Sequence, residues 1–310
     1  MAMHALGRIG SRLRPILGFS RVLQATLSVA QPFVAALIAL HGFPSPDRLI
    51  LGLSAAWAGF MAVFALNDLM DLEVDRASLS HKRGYESYDI DSAMSRHPLA
   101  HQQISLAAGR IWIGALATYA IAAAYLLNPP AVLLFLAAAT LELTYCKLAR
   151  RTPLKFLVSG AMVGVGALAG WVAMTDEVRI AEMAALFCWV FAWEIGGRNI
   201  VNDFADVEED SRLGIKTVPL VYGPRVSAWL ALFFLVATTV VALVLQPLSH
   251  LSIAYLVAAT TAGLYLLVWP GLTLLRNPVP QSAMALFNRA SLYPPALLLI
   301  LIASLTLPLG

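Results

Sequence analysis

The stretch LILGLSAAWAGFMAVFALNDLMDLEVDR, residues 49–76, joins an apolar run long enough to cross a bilayer to a compact group of acidic residues. Its acidic end, NDLMDLEVDR, has a second copy, NDFADVEEDS, at residues 202–211. Each copy directly follows an apolar run and places one Asn and three Asp at the same intervals: Asn67, Asp68, Asp71 and Asp75 in the first, and Asn202, Asp203, Asp206 and Asp210 in the second. The chain therefore attaches the same acidic pattern to two apolar segments.

The composition is that of a membrane protein. The 310 residues are 59% hydrophobic and only 13% charged, about half the charged fraction of an ordinary soluble domain. Because roughly 20 apolar residues span the hydrocarbon core, nine apolar runs predict nine transmembrane helices: 23–41, 49–70, 104–127, 131–145, 156–174, 181–201, 227–245, 253–269 and 284–307. We expect an all-α, polytopic membrane protein with one domain, residues 1–310, whose fourth and eighth spans are short.

The basic residues predict the orientation in the membrane. With a cytoplasmic N-terminus, all 21 Lys and Arg except Arg48 and Arg179 fall on the cytoplasmic side, as the positive-inside rule requires. Both acidic motifs are then cytoplasmic and the C-terminus lies opposite, in what we expect to be a bacterial cell membrane. Residues 1–20 form a basic amphipathic segment expected at the membrane surface.

The charge distribution and the two cysteines bear on possible partners and on disulfides. The net charge of +3 is spread over many loops without a basic block, so we expect the lipid bilayer and no nucleic acid as a partner. Cys146 and Cys188 fall inside predicted spans, which predicts free buried thiols.

The repeated acidic motifs predict a metal site. Four spans separate the motifs, and an even number of crossings returns the chain to the same membrane face. On a helix, Asp residues three and four apart share one stripe, so two carboxylate stripes can face each other. Carboxylate and amide oxygens suit Mg²⁺, which binds through a few carboxylates together with substrate phosphates. We therefore expect all eight motif residues to contribute to a site for Mg²⁺ and a diphosphate.

These motifs resemble those of the UbiA superfamily of intramembrane prenyltransferases. NDLMDLEVD fits the family pattern NDxxDxxxD, DVEEDSRLGIKT resembles its second acidic motif, and TYCKLARR and LFNRASLY resemble later segments. The resemblance implies a helical bundle around a central cavity. It also implies Mg²⁺-dependent transfer of a prenyl group from an isoprenyl diphosphate lipid to a small hydrophobic or aromatic acceptor.

The resemblance also implies roles for individual residues. Asp68, Asp71, Asp206 and Asp210 would be catalytic, and the diphosphate would contact Lys147, Tyr145, Lys216, Arg198 and Arg96. Arg198 is expected to pair with Glu194 along the sixth span, either as a structural pair or in a way that presents Arg198 to the diphosphate. Glu142 either positions an acceptor hydroxyl or bonds a neighbouring helix.

The loop at residues 77–103 departs from the family pattern. It is about ten residues longer than usual, and His97 separates Arg96 from Pro98. The extension either caps the active site or is an idle surface loop. His97 and His101 are four residues apart, but no second His or Cys pair completes a site for a soft metal, so we expect no such site there.

Two other functions share part of this pattern. A terpene cyclase of the same superfamily would ionise the same diphosphate but close the cation on its own double bonds. A cation carrier could use the acidic stripes as a transport site, although it would not need neighbouring lysines.

Overall fold

The computed structural model describes residues 13–79, 94–95 and 97–306. Across these residues the chain is helical without strands, and nine segments are long and apolar enough to cross a membrane. Their bounds are Val22–Leu40, Pro46–Met70, Leu106–Leu127, Pro129–Leu148, Lys155–Val172, Ile180–Asp203, Pro224–Leu248, Ile253–Arg276 and Pro280–Thr306. The predicted all-α architecture with nine spans around a central cavity is confirmed.

Several spans are built from more than one helix. The first comprises Val22–Ser28 and Ala30–Leu40, and the ninth comprises Pro280–Ser291 and Tyr293–Thr306. The sixth and eighth each contain a π-helical turn, Glu194–Asn199 and Leu264–Val268. Shorter helices outside the spans run over Leu72–Leu79, Val207–Leu213 and Val218–Tyr222.

Local sequence explains where the helices begin. At least six of the described helices, including those that start at Pro46, Pro129 and Pro224, carry Pro in the first turn, where its missing N–H costs nothing. Ser105 caps the third span, its Oγ accepting a hydrogen bond from the N–H of Ala108 at 3.2 Å.

The fourth and eighth spans are longer than predicted. The eighth was predicted to end at Trp269, directly before Pro270, and proline interrupts a regular helix. In the structure the π-helical turn Leu264–Val268 precedes Pro270, which then occupies the first turn of the next α-helical piece, so the span continues to Arg276. The fourth span begins at Pro129 and includes Lys147.

Close packing between spans depends on small residues. A side chain at Gly170 would overlap the backbone carbonyl of Pro32 in the first span. Gly164 faces the ring of Phe187 in the sixth span, which leaves no room for a methyl group. These glycines let the fifth span approach both neighbours, as small residues do in membrane bundles. The main core forms among spans one and five to nine.

Some predictions are corrected or lie outside the described residues. Cys146 and Cys188 are free thiols as predicted, but Cys188 is exposed on the outer surface of the bundle instead of buried. Of the predicted surface segment, residues 13–19 are helical and Phe19 is buried, while residues 1–12 lie outside the described range, as do residues 80–93 of the extended loop. Membrane orientation remains a prediction.

Candidate active site

A single large cavity of about 1,910 Å³ runs through the bundle of described helices. All eight residues of the two acidic motifs line one end of it, here called the acidic end. At the far end the walls are formed by residues such as Pro44, Leu127 and Met174. Between the two ends the lining is mainly apolar and includes Phe33, Phe60, Phe64, Phe135, Trp193 and Phe287. The cavity thus combines a charged head region with a long apolar body.

The first motif lies where the second span ends. The helix stops at Met70, Asp71 adopts a bridge conformation, and a new helix starts at Leu72. Asp68 is buried, and its Oδ2 accepts no hydrogen bond in the structure. Burial, with repulsion from the Asp75 carboxylate as the next largest cause, raises the pKa of Asp71 to about 6. The carboxylates of Asp71 and Asp75 are therefore close enough to repel each other at this end of the cavity.

The second motif lies at the end of the sixth span and mirrors the first. Asp203 closes the span and is buried, and its Oδ2 also accepts no hydrogen bond. Asp206 precedes the helix Val207–Leu213 as its N-cap residue, and Asp210 lies within that helix. The sequence prediction that both motifs meet at one end of the bundle agrees with their shared cavity.

Lys155 lines the acidic end of this cavity, and it was not among the residues singled out from the sequence. Its side chain is buried, with Nζ 3.8 Å from Asp203 Oδ1 and 5.0 Å from the centre of the Tyr145 ring. A lysine in the first turn of an apolar span has the pattern of a topology anchor, so its position alone gave no signal of a binding role.

The two predicted lysines lie elsewhere. Lys147 and Lys216 are both exposed and are not among the residues that line the cavity. Lys147 faces outward because it lies two positions after Tyr145 on the same helix, about 200° around its axis. Lys216 contributes its backbone N–H to the carbonyl of Ala149 at 2.8 Å. The structure therefore does not bring either lysine into the cavity, and their contact with a diphosphate stays a prediction.

Tyr145 and Arg198 line the cavity as predicted. The Tyr145 hydroxyl accepts a hydrogen bond from Asn199 Nδ2 at 3.0 Å. The Arg198 guanidinium donates to Gln24 Oε1 at 3.0 Å and to Ser291 Oγ at 2.6 Å, and it lies 4.0 Å from the Phe287 ring centre. Arg198 thus ties the sixth span to the first and ninth. Glu194 accepts a hydrogen bond from Ser159 Oγ at 2.8 Å.

A polar network fixes the start of the first motif. Asn67 Nδ2 donates to Glu142 Oε1 at 2.9 Å, and Asn67 Oδ1 accepts from Arg21 Nη2 at 3.3 Å. Glu142 therefore bonds a neighbouring helix, which was one of its two predicted roles. Asn67 is held by Arg21, Glu142 and a longer contact to Cys146 Sγ at 3.7 Å, and its contact with a metal stays a prediction.

The acidic end fits a divalent cation. Asp68 Oδ2 and Asp203 Oδ2 are buried carboxylate oxygens without a hydrogen bond, which is costly unless a cation compensates. Together with Asp71, Asp206 and Asp210 they form the all-oxygen donor set that Mg²⁺ prefers.

Three residues of the loop at 77–103 were singled out from the sequence. Arg96 lies outside the described residues, so its predicted role near the phosphate stays a prediction. His101 is exposed, whereas His97 lines the cavity beside Asp68 and Asp75. As a possible metal ligand, His97 was considered from the sequence only together with His101. Its position beside Asp68 and Asp75 was not apparent from residue spacing.

Comparison with known proteins identifies similar sequences and folds. A family model described as the UbiA prenyltransferase family matches residues 84–293. The digeranylgeranylglyceryl phosphate synthase of Thermococcus sibiricus is 25% identical over 236 residues, which cover 76% of this chain and 75% of that protein. The chain spans only 44 to 45% of the length of the protoheme IX farnesyltransferases and 4-hydroxybenzoate polyprenyltransferases that it also matches.

Two solved structures share the fold. One concerns digeranylgeranylglyceryl phosphate synthase in membranes, with a TM-score of 0.68, 21% identity, and coverage of 95% of this chain and 98% of that one. The other is a UbiA homolog from Archaeoglobus fulgidus bound to DMAPP and Mg²⁺, with a TM-score of 0.60, 18% identity, and coverage of 92% and 99%. At these identities the structures show a common fold.

Proposed function

Because the chain belongs to the UbiA prenyltransferase family, we propose that it transfers a prenyl group from an allylic isoprenyl diphosphate to an acceptor within the membrane, with Mg²⁺ between its acidic motifs. One observation carries this proposal: both motifs and Lys155 line the same end of one cavity whose remaining walls are mainly apolar. An isoprenyl diphosphate has the matching shape, with a charged head and a long hydrocarbon tail.

The acidic end would hold the diphosphate head. Asp68, Asp71, Asp203, Asp206 and Asp210 are the residues that would bind Mg²⁺. When bound, Mg²⁺ neutralises charge on the diphosphate oxygens and so favours their departure. The similar protein from Archaeoglobus fulgidus was solved with DMAPP and Mg²⁺, which supports this assignment.

The protein's own cations would assist the same departure. Lys155, already placed beside Asp203, can donate to a diphosphate oxygen, and the Tyr145 hydroxyl adjoins it. Preorganised donors aimed at a leaving group are among the largest contributions to catalysis. Arg21 also lines the acidic end and adds positive charge near Asp71.

The apolar body would hold the prenyl tail and exclude water from the allylic cation. Aromatic rings such as Phe64 and Phe135 line this region, and their π faces attract positive charge. Excluding water prevents hydrolysis of the cation before the acceptor reacts.

We propose an electron-rich aromatic ring as the acceptor. An alcohol would need a base to remove its proton at the moment of attack, whereas an aromatic ring attacks through its own π electrons and loses its ring proton afterwards, to the released pyrophosphate. Glu142 and Glu194, the glutamates of the described spans that line the cavity, already accept hydrogen bonds from Asn67 and Ser159. We further propose that the acidic end faces the cytoplasm, which follows from the distribution of basic residues.

Pyrophosphate release tests the proposed function. The purified protein in lipid nanodiscs is incubated with geranyl, farnesyl or geranylgeranyl diphosphate and Mg²⁺, with and without 4-hydroxybenzoate as an aromatic probe. We expect acceptor-dependent pyrophosphate release and a prenylated product, both lost in an Asp206→Asn variant. A cyclic product without acceptor would replace the transferase with a cyclase. Cation flux without any pyrophosphate release would replace it with a carrier.

A further inference from the structure

We infer that His97 converts part of the first acidic motif into a mixed nitrogen and oxygen site, formed with Asp68 and Asp75, that binds a divalent transition-metal ion in preference to Mg²⁺. The inference rests on the proposed function only in assuming that the acidic end binds cations. It adds a ligand and a metal class that the acidic motifs alone do not supply.

The geometry places one nitrogen against two carboxylates from another segment. His97 Nδ1 lies 2.7 Å from Asp75 Oδ2 and 3.5 Å from Asp68 Oδ1. One ligand atom from each of the three residues lies within 4.8 Å of the others, so a single ion can contact all three after small adjustments. The side chains are 19%, 6% and 11% exposed for His97, Asp68 and Asp75, which limits competition from bulk water.

A second observation points to a ligand. Asp68 Oδ2 is buried and accepts no hydrogen bond, although Asp68 lies beside His97 and lines the cavity. The hydrogen bond between His97 and Asp75 does not reach this oxygen, and a buried acceptor without a partner destabilises the folded protein. A metal ion shared by the three side chains would satisfy it.

The backbone of His97 adopts a conformation that is unfavourable for most residues. Its φ of 49° lies in the left-handed region, which non-glycine residues rarely adopt. Such conformations persist where the surrounding structure requires them, often at functional sites. The turn carries the imidazole to the acidic end, while the exposed His101 of the same turn remains outside the cluster.

The donor set decides the metal class. Mg²⁺ favours oxygen ligands and retains its water, whereas imidazole nitrogen suits later transition metals such as Fe²⁺ and Zn²⁺. Mn²⁺ also prefers oxygen ligands, but it binds a nitrogen site more readily than Mg²⁺ does and so can report on His97. With Asp68 shared with the His97 site, the other four carboxylates of the proposed Mg²⁺ set, Asp71, Asp203, Asp206 and Asp210, still provide oxygen ligands alone. The acidic end therefore offers two chemically different positions for metal ions.

Pulsed electron paramagnetic resonance with Mn²⁺ alone tests this inference without substrate. In tag-free protein we expect ¹⁴N coupling from a directly bound imidazole. The His97→Asn variant, whose new residue also tolerates a left-handed backbone, should lose that coupling and bind Mn²⁺ more weakly by roughly tenfold or more. His101→Ala is the matched control and should behave like the wild type.

Two results would overturn the inference. One is Mn²⁺ bound to the wild type without ¹⁴N coupling, which would reduce His97 to a hydrogen-bond partner of Asp75. The other is coupling that survives in His97→Asn. If this variant does not fold, the wild-type spectrum decides alone. Failure of the proposed function is separate, because it would appear as missing pyrophosphate release from a protein whose Mn²⁺ spectrum still contains the nitrogen.

Discussion

Replacing Lys155 with methionine removes a buried positive charge from the acidic end of the cavity while keeping a side chain of similar length. Lys155 Nζ lies 3.8 Å from Asp203 Oδ1, so at an effective dielectric constant near 20 the lost attraction is about 4 kcal/mol before desolvation is counted. The diphosphate would lose a preorganised donor, and removing one such donor typically costs about 10²- to 10³-fold in kcat. We expect a loss of this size with Mg²⁺ saturating.

The assay is the initial rate of pyrophosphate release in nanodiscs, with Lys147→Met and Lys216→Met as matched controls. Both control lysines are exposed and outside the cavity lining, so their rates should stay near the wild-type value. Thermal unfolding of Lys155→Met, and of Lys155→Met combined with Asp203→Asn, separates folding from catalysis. The combined variant should recover stability but not rate, because it removes the uncompensated Asp203 charge. Near-normal kcat in Lys155→Met, or an equal loss in Lys147→Met, would refute the reasoning.

Three further predictions follow from other contacts. Glu142→Ala should lower kcat by about tenfold, since Asn67 loses a charged hydrogen-bond acceptor worth roughly 1.5 kcal/mol. Glu142→Gln keeps an acceptor for Asn67 and should keep most of the rate. An equal loss of kcat in both variants would instead assign a role to the carboxylate charge. Gly170→Ala should lower the unfolding midpoint by several degrees, because its new methyl group meets the Pro32 carbonyl at a cost of about 1 to 3 kcal/mol. Gly166→Ala on the same helix places its methyl group in open space and should leave the unfolding midpoint unchanged. Equal unfolding midpoints for the Gly170→Ala and Gly166→Ala variants would contradict the packing described. Asp71→Asn should lose Mg²⁺-dependent turnover in a titration of rate against Mg²⁺, and a variant with a wild-type titration would remove Asp71 from the metal site.

The fold could be predicted from sequence because its signals are long and redundant. Nine apolar runs and one asymmetric distribution of Arg and Lys each support the same helix count. The boundaries were harder to predict, since the π-helical turn before Pro270 depends on packing that no local pattern shows.

The acidic half of the site was also predictable, because each motif follows an apolar span and an even number of crossings separates the two motifs. The single helical stripe expected for Asp68, Asp71 and Asp75 was wrong, since the helix ends at Met70 and a new one begins at Leu72. The cationic half was not predictable. Lys155 and Lys147 are both lysines near helix ends, and only the rotation of each helix decides which one enters the cavity. His97 reaches Asp75 across 22 residues of chain through a left-handed turn, a contact that spacing does not encode.

The central claim is that two acidic motifs, far apart in the sequence, bind the same metal ions and diphosphate. Anomalous diffraction from crystals grown with Mn²⁺ and geranyl S-thiolodiphosphate, a poorly reactive analogue, tests it most directly. The account predicts metal peaks at bonding distance from carboxylates of both motifs, with the diphosphate between them and beside Lys155. Metal peaks confined to one motif, or a diphosphate bound away from both, would contradict it.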